Sequence, residues 1–136
     1  MLENLKKIEK HINSELSSKI HNSFINNDEL LIEVGENDLT EVVQFIKSNE
    51  KLKFRQLIDI AGVDYPDEEK RFNLIYLFLS HENNSRLKLL VKFETSQTIN
   101  SITKIFPSAN WMEREVFDMY GIKFKNHPDL LSLIHI

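Results

Sequence analysis

Residues 71–93 read RFNLIYLFLS, then HENNS, then RLKLLVKF. In the last run Leu87, Leu89, Val91 and Phe93 alternate with Arg86, Lys88 and Lys92. A period of two gathers apolar side chains on one face only if the backbone is extended. The run 71–80 is almost continuously apolar, as suits a central strand covered on both sides. With the polar turn 81–85 between them, the two runs predict a long antiparallel hairpin, buried on one side and basic on part of the other. A hairpin alone is marginal in water, so the rest of the chain must cover that apolar face.

The remaining segments supply the cover. Leu5, Ile8, Ile12 and Leu16 recur at helical spacing and predict an amphipathic first helix. The polar groups His21-Asn22-Ser23 and Asn26-Asn27-Asp28 read as a break, and 29–34 (ELLIEV) as a first strand closed by Gly35. Asp38-x-x-Glu41 has the form of a capping box opening a second helix, with Leu39, Val42, Val43 and Ile46 on one stripe. Residues 54–63 (FRQLIDIAGV) read as a strand with Phe54, Ile58 and Ile60 on one face and Leu57 opposite, followed by an acidic, solvated loop at 64–70. Ile99, Ile102 and Phe106 predict a short helix ended by Pro107. Asn110-x-x-Glu113 reads as a second capping box, and Gly121 as the left-handed C-terminal cap of the helix it opens, with Ile122 for the hydrophobic clasp. The expected fold is α+β, a mostly antiparallel four-stranded sheet with helices packed on it, in one domain spanning 1–136.

Composition narrows the chemistry. At 136 residues, 41% hydrophobic and 28% charged, the chain can fill a core. A net charge of −4 with no basic cluster argues against a nucleic-acid surface. With no cysteine, disulfides, thiolate nucleophiles and cysteine-held iron–sulfur clusters are excluded within the chain. No phosphate-binding glycine motif occurs, and three glycines are few from which to build one. No secretory segment follows Met1, and the longest apolar run, 74–79, is far short of the roughly 20 residues that span a bilayer. A protein soluble by itself is expected, reaching a membrane only through a partner.

The densest chemistry lies in 111–130, WMEREVFDMYGIKFKNHPDL. Glu113, Arg114, Glu115 and Asp118 are interleaved with Trp111, Met112, Val116, Phe117, Met119 and Tyr120, so some charge must be buried with the helix. Arg114 and Asp118, four apart, can pair. One reading is an acid/base site of Glu115, Asp118 and His127. The other is a structural ion-pair network around Arg114 at a helix–loop corner or an interface, favoured because no nucleophile, metal motif or oxyanion loop accompanies the carboxylates. His127-Pro128-Asp129 suits a turn presenting the imidazole, since Pro128 keeps His127 extended. The histidines form no H-x-H or H-x-x-x-H pair.

Taken together, residues 52–130 resemble the C subunit, of 30-kilodalton type, of respiratory complex I, the proton-pumping NADH–quinone oxidoreductase. The resemblance rests on FRQLIDIAGVDYP, RFNLIYLFLS, RLKLLVKF, SITKIFPSANWMERE and, most specifically, ERE-x-x-D-M-Y-G-I-x-F-x-x-HPDL. The family continues past HPDL with a basic RRIL-like stretch and a long tail. Here the chain reads Leu131-Ser132-Leu133-Ile134-His135-Ile136, with Leu131 in place of an arginine, so the family's C-terminal tail is expected to be missing.

The resemblance implies a cofactor-free scaffold of the hydrophilic arm, not catalytic by itself, with FMN and the iron–sulfur clusters in other subunits. The partners it implies are the large quinone-site (D) subunit, the (B) subunit that holds the terminal iron–sulfur cluster, and other hydrophilic-arm subunits. It also implies a peripheral place on the inner membrane, on the cytoplasmic side in bacteria or the matrix side in mitochondria. The motif residues Glu113, Arg114, Glu115, Asp118, Gly121, Phe124, His127, Pro128, Asp129 and Leu130 form the expected interface, with an exposed apolar patch around Phe124 and Leu130. Two alternatives compete: a generic protein-binding module using a sheet edge, or the small acid/base enzyme named above.

Overall fold

A computed structural model describes residues 2–26, 29–94 and 98–126. The elements run α1 (Leu2–Leu16), β1 (Ile20–Asn26), β2 (Glu29–Val34), α2 (Leu39–Ser48), β3 (Gln56–Asp64), β4 (Phe72–Ser80), β5 (Ser85–Phe93), β6 (Ile99–Asn100), α3 (Ala109–Tyr120) and β7 (Phe124–Lys125). Five strands form the main sheet in the order β1-β2-β5-β4-β3, and β6 pairs with β7 in a second, small sheet. Only the β2–β5 and β6–β7 pairs are parallel, so the α+β, mostly antiparallel expectation holds with five strands rather than four.

The additional strand is β1, where the polar residues His21, Asn22 and Ser23 read as a break. It is an edge strand, bonded on one side to β2, with a bulge between Ile20 and Asn22. An edge strand solvated on its free side has no need of the apolar pattern that marks β4 and β5.

The β4–β5 hairpin forms as expected, from the Phe72–Phe93 pair to the Ser80–Ser85 pair. Its turn spans 81–84, with Asn84 in the left-handed region at φ 48°. Phe72, Leu74, Tyr76 and Phe78 line one face of β4 and are buried, while Ile75, Leu77 and Leu79 opposite are half-buried. On β5 the outward Lys88 and Lys92 pair with Glu29 and Glu33 of β2 at 2.8 and 3.8 Å.

Helix stripes cover the buried face. Leu5, Ile8, Ile12 and Leu16 of α1 and Leu39, Val42, Val43 and Ile46 of α2 belong to one core with the inward residues of β2, β5 and β4. The carboxylates of Asp38 and Glu41 do not close a capping box; no side-chain cap bond forms at α2. Lys19 draws them away, lying 2.6 Å from Glu41 and 3.9 Å from Asp38.

Two other expectations are corrected. Phe54 precedes β3, and a bulge between Leu57 and Asp59 turns Leu57 and Ile60 to the same buried face, leaving Ile58 half-buried. Residues 99–106 form no helix. The N–H groups of Ile99 and Ser101 donate to the carbonyls of Lys123 and Lys125, so they are unavailable to a helical ladder, and only a turn at 102–106 remains. Lys47 of α2 ties down that turn, donating to the Ile105 carbonyl at 2.5 Å with its ammonium over the Phe106 ring. The acidic loop after β3 is also anchored, because Arg71 grips Asp64 through two nitrogens at 2.5 and 2.8 Å.

Helix α3 packs against β3 at Gly62. The Tyr120 hydroxyl donates to the Gly62 carbonyl at 2.8 Å, and its ring meets Phe72 edge-on. A Cβ at Gly62 would come within 2.7 Å of the Tyr120 ring. Gly62→Ala is therefore expected to push α3 off the sheet edge and cost about 1–3 kcal/mol. A urea-unfolding midpoint indistinguishable from wild type would show that this close approach is not part of the fold.

Candidate functional site

The charged helix of the 111–130 segment is α3, and its two faces differ sharply. Ala109, Glu113 and Val116 are buried, with Met112, Phe117 and Tyr120 packed beside them. On the opposite face Trp111 is 63% exposed and Met119 73% exposed, with Glu115 and Asp118 between them.

Glu113 is fully buried (0% exposed) and reaches across to the segment that follows β6. Its Oε1 accepts the Ser101 hydroxyl proton at 2.6 Å, and its Oε2 accepts the Ile102 backbone N–H at 2.9 Å. Ser101 Oγ in turn accepts the Thr103 N–H at 3.1 Å and lies 2.8 Å from the Thr103 hydroxyl. One carboxyl thus closes the turn at 101–103 under α3. Burial pushes the Glu113 pKa up to about 7, against the opposing pull of the bonds from Ser101 and Ile102. The Tyr76 hydroxyl on β4 is buried, has no hydrogen-bond partner among the described residues, and is held well above its usual pKa by burial and then by the Glu113 charge.

The capping box expected at Asn110-x-x-Glu113 is absent, and no side-chain cap bond forms. The cap position falls two residues earlier, at Ser108, which places Glu113 too far along the helix to serve its end. The expected closing cap does form: Gly121 has φ 72°, its N–H bonds to the Phe117 carbonyl, and Ile122 is buried behind it. Nothing lies within 4 Å of where a Gly121 side chain would start, so backbone conformation alone selects glycine. After the cap the chain pairs β7 with β6.

The family model described as "Respiratory-chain NADH dehydrogenase, 30 Kd subunit" matches residues 32–135. The chain belongs to this family. It is 37% identical to the C subunit of the NADH-quinone oxidoreductase of Chelativorans sp. (strain BNC1), an alignment covering 98% of the chain and 67% of that protein. It is 45% identical to the same subunit of Ruegeria pomeroyi, over 78% of the chain and 53% of that protein, and 38% identical to that of Rhodospirillum rubrum, over 98% and 62%. The chain thus spans about half to two thirds of the length of these relatives. In the structure of the membrane-bound sulfane sulfur reductase, an archaeal respiratory membrane complex, one chain shares the fold with a TM-score of 0.78 at 19% identity, over 90% of this chain and 71% of that one.

In this member of the 30-kilodalton family the Glu-Arg-Glu triplet does not form, among the described residues, the ion-pair network expected around Arg114. Arg114 makes no ion pair among the described residues; its guanidinium lies 5.8 Å from the centre of the Trp111 ring. Glu115 accepts the Trp111 indole N–H at 2.5 Å instead. Asp118, one turn beyond Arg114, has neither an ion pair nor a hydrogen bond among the described residues. The stacked indole holds Arg114 half-buried on the Trp111 side of the helix, which explains why the spacing of four does not become a salt bridge.

Phe124 is also misplaced by the sequence reading. It is 2% exposed, because the β6–β7 pairing turns it into the core, so among the described residues Phe124 contributes to no apolar surface patch. His127, Pro128, Asp129, Leu130 and the 131–136 ending lie outside the described residues. Of the acid/base trio, the two described members, Glu115 and Asp118, stand exposed on the outer face of α3. The two clefts near its start are lined by Thr40, Asn100, Ser101, Thr103, Lys104, Ile105, Pro107, Asn110 and Asn126, with neither carboxylate among them.

The buried role of Glu113 was legible in principle. Ala109, Met112, Glu113, Val116 and Tyr120 follow the helical apolar stripe, so Glu113 occupies a core position. Its partners, 11 and 12 residues upstream, carried no signal of their own.

Two measurements test this geometry. A carboxyl whose pKa rises from 4.5 unfolded to about 7 folded stabilises fully below about 4.5, and that contribution is lost as pH rises through about 7. Relative to Glu113→Gln, wild type should lose on the order of 3 kcal/mol of unfolding free energy between about pH 4.5 and about pH 7.5; parallel pH profiles would show that Glu113 is not held protonated. Arg114→Ala, which removes only a cation–aromatic contact at the surface, should change stability by less than about 1 kcal/mol. A loss of several kcal/mol would reveal a buried partner for the guanidinium.

Proposed function

We propose that the chain is a cofactor-free scaffold subunit of the hydrophilic arm of a proton-pumping NADH–quinone oxidoreductase. In this reading it supports electron transfer from NADH to quinone without taking part in the redox steps, which belong to the FMN and iron–sulfur clusters of other subunits. Its partners are the large quinone-site subunit, the subunit holding the terminal iron–sulfur cluster, and other hydrophilic-arm subunits. It sits peripherally at the inner membrane, on the cytoplasmic or matrix side, through the complex alone. No helix among the described residues is long and apolar enough to cross a membrane.

The observation that carries this reading is what the motif residues do. Glu113, the most perturbed carboxyl of the motif, faces inward and satisfies a backbone N–H and a hydroxyl of the same chain. A general acid or base must reach a proton on its substrate; this carboxyl, already occupied in the core, acts as a clamp. Gly121 and the β6–β7 pair fix the direction in which the chain leaves α3. A corner ordered before association lowers the entropy lost on assembly.

The test is assembly itself. With an affinity tag on this chain, purification from detergent-solubilised membranes should yield NADH–quinone reductase activity together with the quinone-site and terminal-cluster subunits. A high-salt or alkaline wash should release the chain from membranes without detergent. Recovery of the tagged chain alone, from membranes in which the oxidoreductase is active, would refute the proposal.

A further inference from the structure

Among the described residues the outer face of α3 packs on no other element, yet its most prominent side chain is held in place. Trp111, 63% exposed, is fixed by two neighbours on its own helix: Arg114 stacks 5.8 Å from its ring centre, and Glu115 accepts its indole N–H at 2.5 Å. Met119 stands two turns further along, 73% exposed, with Glu115 one turn from each. At a rise of about 1.5 Å per residue, the two apolar groups lie about 12 Å apart along the axis. Asp118, without a partner among the described residues, adds a second carboxylate beside the stripe.

We infer that this face of α3, Trp111–Glu115–Met119 with Asp118 alongside, is a preformed docking stripe for a helix of another subunit that presents a lysine or arginine between two apolar residues. This rests on the assembly reading above and specifies which surface performs it. The occupant follows from complementarity. Apolar groups about 12 Å apart match positions two turns apart on a partner helix, and carboxylates between them call for a cation at the intervening turn. A restrained tryptophan is also the kind of residue that dominates binding energy, because little of its freedom is lost on contact.

A second copy of this chain fits poorly. Two α3 helices packed antiparallel about a two-fold axis would set Met119 against Trp111 but Glu115 against Glu115, placing like charges at the centre of the contact. Among the described residues the other large exposed apolar side chains, Phe24 and Tyr65, lie on β1 and in the β3–β4 loop, and neither belongs to a helix.

The experiment replaces the native subunit with the full chain or its variants in cells and purifies the oxidoreductase through a tag on a different subunit. Wild type and Phe24→Ser should be recovered equally. Met119→Glu and the double variant Glu115→Lys, Asp118→Lys should each fall at least about tenfold. As isolated proteins both should keep their unfolding midpoints within about 2 °C of wild type, since the altered side chains are exposed. A photo-crosslinking residue at position 119 should capture another subunit at a peptide containing lysine or arginine. If wild type is not recovered with the complex, the assembly reading fails and takes this surface with it. If wild type is recovered and both charge-altering variants match it, the stripe alone is refuted. Loss of recovery on Phe24→Ser, or capture of a second copy of this chain, also overturns the stripe.

Discussion

A carboxyl placed in a protein core imposes strict terms on its surroundings, since leaving it or its partners unsatisfied costs about 1–3 kcal/mol per group. Glu113 meets those terms by bonding the Ser101 hydroxyl and the Ile102 N–H, two groups just after β6, where the chain turns toward α3. An apolar residue at this position would fill the space and strand both donors. The clamp therefore ties α3 to the turn at 101–103, whose approach is already set by the bonds from Ile99 and Ser101 to Lys123 and Lys125. Lys47 secures the same turn from the other side, through the Ile105 carbonyl and the Phe106 ring.

Three consecutive charges in α3 then take three different roles, because successive residues on a helix point about 100° apart. Glu113 goes into the core. Arg114 lies along the flank over Trp111, and Glu115 stands outside on the indole N–H. The inner face of the helix is thus committed to the fold, while the outer one is ordered but uncovered. Fold and docking are handled by opposite faces of one element. A substitution outside can alter association while leaving the core intact.

The sheet shows a similar division. Its inner face is a continuous apolar layer beneath α1, α2 and α3, and its outer face mixes half-buried Leu31, Ile75, Leu77 and Leu90 with the paired charges of Glu29, Lys88, Glu33 and Lys92. The cross-strand ion pairs join Lys88 to Glu29 and Lys92 to Glu33 within the chain. On α3 the outer Asp118 has no such partner among the described residues.

Local periodicity was enough to specify the β4–β5 hairpin, the stripes of α1 and α2 and the Gly121 cap, because alternation, helical spacing and a glycine at a helix end are short-range signals. The family resemblance over residues 52–130 was equally plain, and it agrees with the family match across 32–135. Other features came into being only when distant segments met. The strand β1 exists because β2 offers it backbone partners, and Phe124 is buried because β6 lies beside it. Glu113 is a clamp because Ser101 and Ile102 are brought to it. Arg114 turns to Trp111 and leaves Asp118 unpaired among the described residues, although spacing alone allowed the salt bridge. Each of these outcomes depends on which groups compete for the same partner in space, a competition that no one-dimensional spacing records.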